Sequence, residues 1–188
     1  MSEQVVKISD ATSASGALGL TGLGLAALML SFSGLGLFPD ALIVIAMSIF
    51  VGGIIQVMTG YMAWKKGNTF ETVAFTAFGF FWISFAFILI APYGLPAASA
   101  TSTGLYLVLW GILSFCLLLG TIKLKVKALI AIFTLLVTTF FITAIPALVT
   151  VPAIVGTIAA ISTLLLGIVS LYTAVAITLN EVGYKLPL

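Results

Sequence analysis

The chain has 188 residues, of which 62% are hydrophobic and only 6% charged, and its mean hydropathy is +1.35. A water-soluble fold needs far more charge to cover its surface, so this composition excludes one. The seven basic residues are all lysine and the net charge is +2, too small and too scattered for a nucleic-acid partner. There is no histidine and a single cysteine, Cys116, which leaves no disulfide framework and no His/Cys metal site. No metal and no cofactor are expected, and Cys116, inside an apolar run, reads as packing.

Residues 1–16 are polar and carry both signs of charge, without the compact basic-then-apolar pattern of a signal peptide. They read as a disordered tail rather than as one turn of an interfacial helix at Val5, Val6 and Ile8. The first apolar run is long enough to stay in the mature protein as an anchor. A helix rises about 1.5 Å per residue, so a hydrocarbon core of about 30 Å needs roughly twenty apolar residues. That ruler gives six spans, over 17–38, 41–64, 72–91, 104–122, 128–149 and 153–179. The breaks are Pro39-Asp40, a cationic hinge at 65–71, residues 92–103, a lysine-rich turn at 123–127, and the uncharged Thr150-Val151-Pro152. The expected fold class is therefore an all-α integral membrane protein with one transport domain over 17–179 and short tails at 1–16 and 180–188.

The lysines orient it. Lys65 and Lys66 lie in the second connection, Lys123, Lys125 and Lys127 in the fourth, Lys7 before the first span and Lys185 after the last. With six spans every lysine falls on one side, which the positive-inside rule assigns to the cytoplasm. Both termini are then cytoplasmic, and the expected location is the plasma membrane.

Glycines crowd the first span, and small residues four apart (Gly22 with Ala26, Gly156 with Ala160, Ser170 with Ala174) suggest close helix seams. Within the spans there is no Asp, Glu, Lys, Arg or His, so neither a buried-carboxylate pump nor a salt-bridge binding site is expected. One amide remains, Gln56, which is costly in lipid and should face the bundle interior. Thr59, three residues on, shares its face. Together with Thr21 and Thr76 these are the polar residues expected along a solute path, although most membrane hydroxyls bond back to their own helix. In the hinge, Gly67 should end the second helix. Asn68 should cap the third, with Glu71 completing a capping box.

Four blocks then resemble a known family, the acetate uptake transporters or succinate-acetate permeases. They are Ala17-Leu18-Gly19-Leu20 with Thr21-Gly22-Leu23-Gly24; Gly52-Gly53-Ile54-Ile55-Gln56 with Lys66-Gly67-Asn68-Thr69-Phe70 and the run from Ala74 to Trp82; Trp110-Gly111 with Gly120-Thr121; and Tyr172 with Leu179-Asn180-Glu181 and Leu186-Pro187. The resemblance implies a homo-oligomer, a hexamer, of six-helix protomers, each passing acetate or related short carboxylates, succinate among them. It implies a path pinched by Leu23, Phe78 and Leu136. Departures from the family pattern are Ala14, Ser15 and Ala17 for an Asn and two Pro, Phe78 for a tyrosine, and Ile177 for a carboxylate in the last span. The path is less polar for it, which favours acetate over succinate. The expected function is a membrane channel or proton-linked transporter for short carboxylates. A channel for small neutral solutes such as urea, short amides or ammonia is the alternative on the same plan. An enzyme is not expected, since no nucleophile stands beside a base.

Overall fold

The computed structural model describes residues 14–39, 41–90 and 96–188. Val5, Val6, Ile8, Lys7, Asp40 and the start of the third break fall outside them. Six helices are long and apolar enough to cross a membrane: α1 (Ser15–Gly34), α2 (Leu42–Lys65), α3 (Thr69–Ile90), α4 (Ala100–Leu124), α5 (Lys127–Leu148) and α6 (Ile154–Glu181). No strand occurs among the described residues. The count agrees with the sequence reading, and the ends differ for local reasons.

α1 stops at Gly34 rather than at 38. Gly36 takes φ +76°, and the Leu37 and Gly36 N–H groups turn back to the carbonyls of Phe32 and Ser33, closing the helix in a left-handed cap. α3 starts at Thr69 rather than 72, because the Asn68 side chain accepts the Glu71 N–H at 3.1 Å. α4 starts four residues early, since Ser99 caps it by accepting the Ser102 N–H. α5 carries Pro146 near its end, where the ring costs one backbone bond that a buried bundle can absorb.

Packing places α1 along α6, α4 along α5, α5 along α6 and α2 along α3. Missing Cβ atoms set how closely they approach. A Cβ on Gly24 would lie 2.8 Å from the Leu171 nitrogen, and one on Gly167 2.9 Å from the Leu28 nitrogen, so the α1–α6 seam is tight in both directions. The expected Gly22/Ala26 seam exists and faces α2, with a Cβ on Gly22 falling 2.6 Å from the Val51 carbonyl oxygen. Gly156, by contrast, has open space where its Cβ would be, so it is not a packing glycine. Cys116 is exposed on the outward face of α4 rather than packed inside.

α2 is not uniform. Met47–Ile54 is π-helical, between α-helical Leu42–Ala46 and Ile55–Lys65. The wide turns coincide with Gly52 and Gly53, where α3 presses close: a Cβ on Gly52 would meet Trp82 Cγ at 2.7 Å.

Candidate functional site

Two cavities run in tandem down the bundle. One, of about 130 Å³, lies at the end of the cationic hinge and is lined by Gln56, Phe70, Glu71, Ile132, Phe133 and Thr173 among others. The second, of about 220 Å³, lies toward the opposite end, lined by Trp82, Phe85, Thr139, Thr143, Pro146 and Thr163 among others. Three residues line both: Leu23, Phe78 and Leu136. They come from α1, α3 and α5, each is 3–4% exposed, and they stand where the two spaces meet. The three side chains that the family resemblance implied are thus brought together.

Phe78 is held in place by aromatic neighbours. Its ring lies 6.0 Å from Trp110, 6.1 Å from Phe133 and 6.2 Å from Phe140, and Phe81 meets Phe140 edge-on at 4.9 Å. Such contacts contribute about 0.5–1.5 kcal/mol each beyond burial and fix ring orientation. The hydroxyls of Ser84 and Tyr106 are 2.7 Å apart, and Tyr106 donates to the Phe81 carbonyl, tying α4 to the aromatic face of α3.

Gln56 lines the hinge-end cavity and is 1% exposed, and its Nε2 has no hydrogen-bond partner among the described residues. A buried amide donor left unpaired costs about 1–3 kcal/mol, so the position is kept at a cost unless something in the cavity accepts from it. Thr59 is fully buried on the same face, but it lines neither cavity: its hydroxyl donates to the Ile55 carbonyl at 2.9 Å. Thr21 likewise donates to Ala17, and Thr76 sits against Gly60. None of these three threonines lines either cavity: helix carbonyls one turn back take the hydroxyls of Thr21 and Thr59, and Thr76 stands in the α2–α3 seam. The threonines that do line the cavities are Thr173 at the hinge end, whose hydroxyl bonds back to the Val169 carbonyl, and Thr139, Thr143 and Thr163 at the far end. Thr139 pairs with Ser162 at 2.8 Å and Thr163 bonds back to Ala159.

Of the motif residues, Leu20 and Phe70 line the hinge-end cavity. Gly19 lies under the Phe75 ring, and Leu18 faces outward. Gly67 takes φ +73°, and the N–H groups of Gly67 and Asn68 close α2 on the carbonyls of Trp64 and Ala63. Thr69 opens α3. That closure corrects the capping box, since the Asn68 N–H is already taken and the Glu71 carboxylate is free to turn elsewhere. It turns into the cavity, where Ser15 Oγ donates to Glu71 Oε2 at 3.3 Å across Gly16. Ile177 lines the same cavity, and the tail folds back over it: Asn180 exchanges two hydrogen bonds with Leu186, bringing Leu188 to the mouth.

Glu71, Trp82 and Thr143 were missed by sequence reasoning. A carboxylate three residues after a capping Asn reads as part of the cap, and nothing in sequence signals the Ser15 partner. The Trp82 indole N–H is buried without a partner among the described residues, as are the hydroxyls of Ser48 and Ser170.

Comparison with known proteins follows this geometry. The GPR1/FUN34/yaaH family matches residues 4–184. The chain is 43% identical to the succinate-acetate/proton symporter SatP of Escherichia coli K12 over 108 residues, which spans 56% of this chain and 57% of that one. It is 31% identical over 140 residues to ammonia transport outward protein 2 of Saccharomyces cerevisiae, covering 68% of this chain and 48% of that one. A solved structure, the bacterial acetate channel SatP, superposes with a TM-score of 0.86 at 35% identity, covering 94% of this chain and 96% of that one. With six spanning helices and a family match along nearly its whole length, the chain is a multi-pass membrane protein and belongs to the GPR1/FUN34/yaaH family.

Proposed function

We propose that this chain conducts acetate and related short carboxylates across the membrane, through the two cavities and past Leu23, Phe78 and Leu136. The observation that carries the reading is that, among the described residues, these three apolar side chains alone line both spaces. The acetate channel that superposes on it, and the succinate-acetate symporter it resembles over half its length, support the same cargo. A carboxylic acid titrates near pH 4.3, so at neutral pH nearly all of the solute is anion. An apolar pinch resists a hydrated anion and passes a transiently dehydrated or protonated one. Flux should therefore rise as external pH falls.

Radiolabelled acetate uptake into proteoliposomes, with and without an imposed pH gradient, tests this for the wild type and Leu23→Ala. Uptake that stays flat between about pH 8 and about pH 5 counts against it. Acetate is favoured over succinate because the path holds few polar groups. A route for ammonia or urea is the second reading, supported by the same apolar lining and by the yeast relative's transport of ammonia. Urea- or ammonia-driven swelling without acetate flux would select it.

The remaining features belong to the same proposal. The lysine distribution supports a plasma-membrane protein with the hinge end and both termini in the cytoplasm. Resemblance supports a homohexamer. Residues 17–179 act as one transport domain. The protein is read as a transporter, not an enzyme.

A further inference from the structure

Among the described residues, Glu71 is the one ionisable side chain that lines either cavity. It is half-buried on the hinge side of the pinch, in a space otherwise walled mainly by Leu20, Phe70, Phe75, Ile132 and Phe133. Its carboxylate lies over Gly16, where an added Cβ would come 3.5 Å from Oε1, and it accepts from Ser15 Oγ. The charged groups that share this end of the bundle are Lys65, over the Tyr61 ring, Lys66 in the hinge, Lys123 and Lys125 at the α4–α5 turn, Lys127 at the start of α5, Glu181 of α6, which accepts the Ala14 N–H, and Lys185 in the tail beyond it.

We propose that Glu71 carries the proton of transport: protonated at the hinge-end mouth, it hands the proton to the substrate carboxylate before the acid enters the Leu23–Phe78–Leu136 pinch. The inference rests on the carboxylate-transport reading. A substrate carboxylate brought beside Glu71 in this apolar cavity sets two like charges together, and sharing one proton between them relieves the repulsion. In the transfer the Glu71 O–H bond breaks and an O–H bond forms on the substrate. Glu71 is left as a carboxylate, accepting from Ser15, and takes its next proton from water at the mouth. An acid crossing the other way returns its proton to Glu71. Gln56, with its unpaired amide, lines the same cavity and can donate to the substrate's second oxygen.

The test uses the full chain in proteoliposomes, with labelled acetate and protein-free liposomes subtracted. Glu71→Gln keeps the size and the acceptor for Ser15 but carries no proton. Its flux should fall about tenfold below wild type near pH 7 and converge within about twofold near pH 5, where bulk acid is abundant. Glu71→Asp should restore the wild-type profile, and Glu71→Ala should repeat the Gln profile. A wild-type to Glu71→Gln ratio that is constant with pH, or no difference between them, overturns the proposal while leaving acetate transport standing. Absence of acetate flux in the wild type overturns both.

Discussion

The two cavities differ in what they offer a solute. The hinge-end space holds a carboxylate, an unpaired amide and one threonine. The far space is larger and offers threonines and a wall of aromatic rings. One end can exchange a proton and hold an anion by charge-assisted hydrogen bonds, and the other can only solvate a small neutral or nearly neutral molecule. On the proposed route, the difference teaches that Leu23, Phe78 and Leu136 stand between two environments suited to different protonation states of one acid. An acid that changes form at Glu71 needs no cation anywhere along the route.

The strongest way to break this contrast is to merge the spaces. Phe78→Ala should join them, at a stability cost of about 3–5 kcal/mol from the lost ring and its cavity. Acetate flux should then lose its pH dependence and larger acids such as succinate should pass, as measured by competing labelled uptake. Gln56→Leu should cut acetate flux about tenfold, the equivalent of about 1.4 kcal/mol, while leaving thermal stability unchanged or raised, because it removes an unpaired buried donor. A destabilised, fully active Gln56→Leu would show that the amide serves packing alone. Thr143→Val should cost about twofold or less in flux, read from initial rates. Thr59→Val, at a hydroxyl outside both cavities, should leave flux within about 1.5-fold of wild type, since its bond is to its own helix.

Much of this was legible in sequence because membranes impose a simple ruler. Twenty apolar residues and lysines on alternate connections gave six helices. The structure moved their ends only where a cap such as Ser99 or a left-handed residue such as Gly36 intervened. Leu23, Phe78 and Leu136 were legible only through the family motifs, since hydropathy treats every Leu alike. The polar side of the site was harder. Whether a hydroxyl faces a cavity or its own helix depends on rotamer and neighbours, which is why Thr21 and Thr59 lie outside both cavities while Thr139 and Thr173 line them. Glu71 was read as a cap because the competing partner for Asn68, the Ala63 carbonyl, appears only once the chain turns at Gly67.

The π-helical stretch of α2 has a consequence for how this chain tolerates changes in length. A π turn holds one residue more than an α turn of similar height, so Met47–Ile54 stores a local surplus of chain. Deleting one residue there should let α2 close as an ordinary α-helix while Gln56 stays aimed at its cavity. Deleting one between Gln56 and the hinge should instead rotate the amide by about 100°, out of the hinge-end space and toward lipid. Transport after single-residue deletions should therefore survive within Met47–Ile54 and fail a turn later.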